Sequence, residues 1–210
     1  MLKYRVDKDP YDTEETLFSG KLTRTIEPGF TVLVGCNGSG KSTILRYIKD
    51  TYKRNDDYKV FSWDGLYDKG PTKQRMLDSS NIDLLAALAF ASEGEEINTN
   101  IGILASRIGT FVRTTGDKNI IILLDGLDSG LSIDNIIDTK EFFKDLLIPD
   151  VEDAGHECYV IMPANEYELA RGERCIDART GKKVRFDSYE EYRDFILESR
   201  EHKDRRKKDA

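Results

Sequence analysis

The sequence predicts an α/β fold with a mostly parallel central sheet. Residues 30–34, 119–124 and 159–162 are short, continuous apolar runs, the pattern of strands that are buried on both faces. Between them lie segments such as 42–51, in which apolar residues recur at helical spacing. Because strands that alternate with helices pair in parallel and carry the helices on the faces of the sheet, we expect this architecture here.

Shorter patterns predict the remaining elements. Residues 2–6 alternate apolar and polar side chains as an edge strand does, and a second strand over 21–26 ends at the Pro28-Gly29 turn. We expect these two to form antiparallel N-terminal strands. The other predicted elements are a strand over 59–63, helices over 81–91 and about 97–112 with a break at 92–94, a helix from Ser132 to about Leu147, a hairpin over 175–186, and a last helix from Tyr189 to about Ser199 that begins with a Ser188–Glu191 capping box.

The composition indicates a folded chain without a membrane span. Apolar residues make up 39% and charged residues 34% of the 210 residues, which excludes global disorder. No apolar run approaches the roughly 20 residues that a membrane span needs, and charges stand where a signal peptide would be apolar. Cys36, Cys158 and Cys175 are far apart, which indicates neither a disulfide framework nor a zinc site. We expect a soluble cytoplasmic protein.

The charge is acidic overall but basic near the C-terminal end. A net charge of −7 argues against a protein that coats nucleic acid by bulk charge. Residues 200–209 nevertheless contain six Lys or Arg against three Asp or Glu, so this stretch is either a solvated, frayed terminus or a tail that contacts phosphate. We expect one domain over residues 1–199, with a small helical lobe inserted at about 65–115, and a charged tail over 200–210.

A glycine-rich loop joins the strand over 30–34 to the helix that follows. Residues 35–42, GCNGSGKS, fit the pattern G-x-x-x-x-G-K-[ST] at every fixed position. Such a loop wraps a phosphate chain with backbone N–H groups, and the next helix presents its N-terminus to the anion. Lys41 would place its charge on the β- and γ-phosphates, and Ser42 would take a Mg²⁺ position. The predicted nucleotide-binding residues are Asn37, Gly38, Ser39, Gly40, Lys41, Ser42 and Thr43.

The strand over 119–124 ends in a carboxylate, Asp125. In a parallel sheet this residue lies at the same carboxyl-end edge as the glycine-rich loop. It can therefore hold Mg²⁺ together with Ser42, directly or through water. The alternative is that Asp125 only caps a turn.

These motifs resemble those of the ABC-type ATPases, in particular the soluble branch similar to chromosome-maintenance and recombination ATPases. The stretch GFTVLVGCNGSGKST resembles the family's phosphate loop and preceding strand, and residues 125–132, DGLDSGLS, align with its D-E-P-x-S-x-L-D run. Residues 91–95, ASEGE, resemble a degenerate signature motif. The resemblance implies a P-loop NTPase three-layer sandwich that binds ATP and Mg²⁺. It also implies a head-to-tail homodimer in which Ser92, Gly94 and Ser129 face the nucleotide of the other copy.

Three departures from the family pattern bear on hydrolysis. Gly126 stands where the catalytic glutamate is expected, Ser132 replaces the final aspartate, and Asn165 takes the place of the switch histidine. Without a carboxylate at position 126 the motif lacks a general base, a group that typically contributes 10²–10⁴-fold in rate. Asn165 can donate a hydrogen bond to the γ-phosphate but, unlike histidine, cannot take up and release a proton. Asp128 is a nearby carboxylate that could substitute for the glutamate, but only with a different backbone path. We therefore expect retained ATP binding and weak turnover, with Lys41, Asp125 and Asn165 as the catalytic candidates.

Some positions of the resemblance stay open. Gln74 is the candidate for the Mg²⁺-contacting glutamine, and Asp64 is an equal candidate by position. Tyr11 or Phe18 could stack on adenine, although each could equally pack in the core. About fifty residues separate Lys41 from Ser92, too few for a coiled-coil arm.

Three functions are compatible with these motifs. The first is an ATP-gated homodimer that signals to a macromolecular partner, protein or nucleic acid, and slowly hydrolyses ATP to ADP and phosphate. The second is a nucleotide-dependent scaffold that never hydrolyses. The third is a P-loop kinase of a small acceptor that recruits Arg46, Arg75 or Arg107, but it leaves the D-loop and signature resemblances without a role.

Overall fold

The computed structural model describes residues 1–6, 22–65 and 93–209. The predicted helix over 81–91 and the candidates Tyr11, Phe18, Gln74, Arg75 and Ser92 lie outside these ranges. In chain order the elements are β1 (Leu2–Val6), β2 (Leu22–Ile26), β3 (Gly29–Val34), α1 (Lys41–Tyr52), β4 (Tyr58–Asp64), α2 (Glu93–Arg113), β5 (Asn119–Asp125), α3 (Ile133–Glu141), a π-helical segment (Phe142–Leu147), α4 (Ile148–Asp153), β6 (Cys158–Pro163), α5 (Tyr167–Ala170), β7 (Cys175–Asp177), β8 (Lys183–Val184) and α6 (Tyr189–Asp209).

Within residues 1–6, 22–65 and 93–209, the central sheet has six strands in the order β4-β5-β6-β3-β7-β8. The pairs from β4 to β7 are all parallel, and only β8 runs antiparallel, as the second strand of the predicted hairpin. The mostly parallel sheet is therefore confirmed. Since β6 lies between β3 and β5, the carboxyl ends of these three strands meet at one edge of the sheet.

Apolar side chains cover both faces of this sheet, as the continuous apolar runs predicted. In β5, Ile121 and Leu123 pack with Ile44 and Ile48 of α1 on one face. On the other face, alternate β5 residues such as Ile122 pack in a second cluster. That cluster also contains the following residues of α2, the π-helical segment and α6: Leu104, Ile108, Phe143, Leu147 and Tyr192. The result is the three layers that the resemblance implied.

The N-terminal strands form a separate two-stranded sheet. β1 pairs antiparallel with β2, and Leu2, Tyr4 and Ile26 are buried in the cluster that contains α1. The Tyr52 hydroxyl of α1 accepts a hydrogen bond from the Lys3 N–H at 2.7 Å and donates one to the Lys3 carbonyl at 3.0 Å. These contacts fix the small sheet on the face of the large one that α1 covers.

Two helices end later than predicted. The helix that begins after Ser132 does not stop near Leu147 but continues through the π-helical segment and α4 to Asp153. The π-helical segment precedes Pro149, which has no N–H to donate, and the Ile148 N–H bonds instead to the Phe143 carbonyl five residues back.

The last helix, α6, runs to Asp209 instead of ending near Ser199. Residues 200–208 are mostly Lys, Arg and Glu, which favour helix, and Arg200 lies 3.9 Å from Asp204 one turn away. At its start the Ser188 hydroxyl accepts the Glu191 N–H at 3.2 Å. The Glu191 carboxylate, however, accepts the N–H of Asp187, one residue before the position that a capping box predicts. A frayed terminus over 200–209 is therefore wrong for the backbone of these residues.

The start of α2 also differs from the prediction. Glu93 and Gly94 lie in its first turn, so the expected break is wrong for these two residues. Among the described residues, no helix combines the length and apolar character needed to cross a bilayer.

Candidate nucleotide site

The glycine-rich loop occupies the turn between β3 and α1. Gly35, Gly38 and Gly40 have φ angles of 146°, 74° and 95°, which residues with a side chain rarely adopt. A Cβ at Gly35 would also lie 2.5 Å from the Ser39 hydroxyl oxygen, so the loop closes only with glycine there. No side chain caps α1 at Gly40, which leaves N–H groups of the first turn available to an anion.

A cavity of about 510 Å³ opens above this loop. All seven predicted nucleotide-binding residues line it, and they are joined by Asp125 at the end of β5 and by Ser129 and Asn165 from the segments after β5 and β6. The Ser39 hydroxyl is buried and, within the described part of the chain, has no hydrogen-bond partner. The full lining is Asn37, Gly38, Ser39, Gly40, Lys41, Ser42, Thr43, Gly65, Asp125, Gly126, Ser129, Pro163 and Asn165.

Lys41 is a buried cation at the floor of this cavity. Its Nζ donates a hydrogen bond to the Gly35 carbonyl at 2.7 Å. Burial lowers the pKa of Lys41, while the negative charges of Asp128 and Asp125 raise it. An anion in the cavity would favour the charged form of Lys41, so the environment suits a phosphate group.

Asp125 and Ser42 form the candidate metal site. The Ser42 hydroxyl donates a hydrogen bond to the Asp125 carboxylate. Burial raises the pKa of Asp125 and the neighbouring Asp64 raises it further, against the lowering effects of the Ser42 hydrogen bond and the Lys41 charge. Both oxygen groups suit Mg²⁺. Over the described ranges no three His, Cys, Asp or Glu residues cluster, so phosphate oxygens and water would have to complete a metal's coordination.

Asp64 reaches the same edge of the sheet. The β4–β5 register pairs Asp64 with Asp125, which places the two carboxylate residues side by side at the strand ends. Of the two candidates for the Mg²⁺-contacting position, Asp64 is thus near the site, whereas Gln74 lies outside the described residues. The sequence did not favour Asp64 over Gln74, because it does not show that β4 pairs with β5, a contact between residues about sixty positions apart.

Asp128 ties the segment after β5 to the turn after β6. Its carboxylate is 1% exposed and accepts the backbone N–H groups of Asn165 and Glu166. It also accepts the Asn165 side-chain amide at 2.9 Å, and that amide donates a second hydrogen bond to the Ser129 hydroxyl at 3.2 Å. Buried and held by three donors, Asp128 acts as a structural carboxylate in this arrangement rather than as a base for water. Both amide hydrogens of Asn165 have acceptors, so a bond to phosphate would require one of them to be released.

The backbone conformation at Gly126 also bears on the absence of a glutamate there. Its φ of 65° is left-handed, although a Cβ there would meet no atom within 4 Å. A glutamate at this position would have room but would strain the backbone. Gly126, where the ABC-type resemblance predicts a glutamate, therefore has a backbone shape that glycine favours.

The remaining candidate site residues, Gly94, Arg46 and Arg107, lie in different places. Gly94 lies in the first turn of α2, but the side-chain surroundings of this turn lie outside the described part of the protein. Arg46 lines a neighbouring cavity of about 440 Å³ with Ser42 and Asp125. Arg107 instead lies over the Phe61 ring, 5.9 Å from its centre, and does not line the phosphate-loop cavity.

The sequence did not predict that α6 contacts the glycine-rich loop. The Ser199 hydroxyl of α6 accepts the Cys36 N–H at 3.2 Å, and the Lys203 ammonium donates to the Asn37 carbonyl at 2.8 Å. The basic composition of 200–209 left phosphate contact open as an alternative for this stretch. No local pattern singled out Ser199, because its contact spans 163 residues of sequence.

A family model described as an AAA domain matches residues 24–169, which is more than half of the chain. The chain belongs to this AAA domain family. No curated protein matches the chain. Membership places the domain among P-loop NTPases and supports nucleotide binding, while the match leaves the ABC-type branch open and ends before α6.

The Asp128 network predicts a large effect of a nearly isosteric change. Asp128→Asn should lower the free energy of unfolding by about 1–3 kcal/mol, because the new amide group would face an N–H donor in either orientation. Chemical denaturation measures this change. Asp117→Asn, at an exposed position, is the matched control. Equal unfolding of the Asp128 variant and the parent would contradict the network.

The raised pKa of Asp125 predicts a stability gain on neutralisation. Above the raised pKa the ionised carboxylate costs folding free energy, and this cost disappears as pH falls below the ordinary value of about 3.9. Asp125→Asn should therefore raise the melting temperature of the ligand-free protein at pH 8 by about 2–4 °C and much less near pH 4. Thermal melts at both pH values test this, with exposed Asp153→Asn as control. A gain that is equal at both pH values would refute the assignment.

Proposed function

We propose that the chain is an ABC-type ATPase that binds ATP with Mg²⁺ and forms a head-to-tail homodimer when ATP is bound. The observation that carries the proposal is a single cavity that brings together the phosphate loop, Asp125 and the Ser129–Asn165 pair. These are the regions in which the sequence resembles the ABC-type family. AAA domain membership supports the coarser statement of nucleotide binding.

Each side chain has a role in this proposal. The loop N–H groups and Lys41 would hold the phosphates, and Ser42 with Asp125 would hold Mg²⁺. When bound, Mg²⁺ supplies positive charge that neutralises the phosphate oxygens. Asp64, beside Asp125 in the sheet register, would orient water around the metal.

Weak turnover follows from what surrounds the cavity. Position 126 carries no carboxylate, Asp128 already accepts three hydrogen bonds, and the amide of Asn165 cannot accept a proton from water. No group among these is available to activate water. We therefore propose that the ATP-bound state persists and that hydrolysis acts as a slow reset.

Exposed residues at the cavity would make dimer formation depend on bound nucleotide. Ser129 is exposed at the cavity, and the resemblance assigns it, with Ser92 and Gly94, to the contact with the second copy. Two nucleotides held between two copies would link ligand occupancy to association by mass action. The output would be a conformational signal to a protein or nucleic-acid partner.

Light scattering coupled to size-exclusion chromatography tests the dimer. We expect ATP-Mg²⁺ to shift the parent towards twice its mass and to leave Lys41→Ala unchanged, because that variant loses its charge on the phosphates. Exposed Lys182→Ala should behave as the parent. Ser129→Arg should still bind nucleotide but fail to dimerise, since the bulky cation would obstruct the second copy. A parent that stays monomeric at saturating ATP would refute the dimer.

Steady-state phosphate release separates the proposal from its alternatives. We expect release well below the typical 1–10³ s⁻¹ of enzymes, and faster release when the macromolecular partner is added. Tight ATP binding without any release would favour the scaffold, for which the backbone at Gly126 is the supporting observation. Transfer of the phosphoryl group to a small acceptor would favour the kinase and contradict the ABC-type assignment.

A further inference from the structure

The C-terminal helix α6 packs directly on the phosphate loop, outside the matched AAA domain. Ser199 is 1% exposed, and its hydroxyl accepts the Cys36 N–H. One turn further, Lys203 donates to the Asn37 carbonyl. The two contacts fix consecutive residues at the start of the loop from one face of a single helix.

The packing at this contact is close. A Cβ at Gly35 would lie 3.7 Å from the Ser199 hydroxyl oxygen, and a Cβ at Gly38 would lie 2.7 Å from the Lys203 nitrogen. Any side chain at Gly38 would therefore displace Lys203. Glycine at position 38 thus leaves the space that the Lys203 ammonium occupies.

α6 is anchored independently of the loop. Phe186 contacts the rings of Tyr192 and Phe195 with centroids 5.2 Å apart in both cases, and Tyr192 is buried in the core. The Tyr192 hydroxyl also donates to the Asn165 carbonyl at 3.4 Å. The same helix therefore touches the turn after β6 and the phosphate loop, and its base is held by the core.

A loop that must bring several N–H groups to one phosphate loses conformational entropy when it binds. A contact that already holds the loop lowers this cost and so raises affinity. Ser199 and Lys203 occupy an N–H and a carbonyl at the start of the loop, next to the N–H groups that would meet the ligand.

We propose that Ser199 and Lys203 are positioning residues that hold the phosphate loop in its nucleotide-binding shape. Nucleotide occupancy and docking of the C-terminal half of α6 then stabilise each other, because such coupling is reciprocal. The inference rests on nucleotide binding at this loop and does not depend on dimerisation or hydrolysis. It makes Lys203, within the basic C-terminal stretch, a part of the site.

The first test is the affinity of the full chain for a fluorescent ATP analogue (N-methylanthraniloyl-ATP) with Mg²⁺. Ser199→Ala and Lys203→Gln should each raise its Kd about three- to tenfold, the size expected for losing one hydrogen bond. Lys203→Arg should restore affinity, because it keeps the charge and the donor. Exposed Ser106→Ala and Lys182→Gln are the matched controls.

The second test follows α6 itself. Hydrogen exchange of amides 196–204 should slow when the analogue binds the parent, and should slow less in Lys203→Gln. A purely structural role for α6 would change the melting temperature without this ligand dependence. Lys41→Ala should bind no analogue, and if it binds like the parent, nucleotide binding at the loop fails whatever α6 does.

The outcomes are distinct. If Lys41→Ala loses binding while Ser199→Ala and Lys203→Gln retain parental affinity, the positioning role is overturned and the proposed function stands. Tighter binding by either α6 variant also overturns it, because α6 would then restrain the loop. Unchanged exchange of residues 196–204 on ligand binding contradicts the coupling.

Discussion

The burial of Lys41 is the constraint on which the site depends. An ammonium group taken out of water needs hydrogen bonds and opposite charge, and here it receives the Gly35 carbonyl and the fields of Asp125 and Asp128. All three come from the carboxyl ends of strands β3 and β5 or the segments just after them. The parallel sheet is therefore what makes a buried cation tolerable at the floor of an open cavity.

Much of the fold could be predicted from the sequence because its signals are local. A continuous apolar run such as 119–124 is a strand buried on both faces, and the GCNGSGKS loop fixes both the strand before it and the helix after it. The helix ends were less predictable. Pro149 follows a π-helical segment inside one continuous helix instead of ending it, and α6 continues through a charged stretch that looked frayed.

Site residues that belong to one sequence motif could be predicted. Site residues that come together only when the chain folds could not. The residues 37–43 and Asp125 line one cavity as expected. The role of Asp128 was missed because its donors lie 37 and 38 residues away, in the turn after β6. Spacing along the chain carries no information on such a contact. The same holds for Ser199, whose hydroxyl meets the loop only after α6 has packed on the sheet.

The three hydrogen bonds that Asp128 accepts couple the positions of two segments of the cavity wall. The segment that holds Ser129 and the turn that holds Asn165 share one buried anchor, so neither can be displaced without dragging the other or breaking a charged bond. A displacement of Ser129 would consequently either carry the Asn165 side of the phosphate cavity with it or break hydrogen bonds to a buried carboxylate.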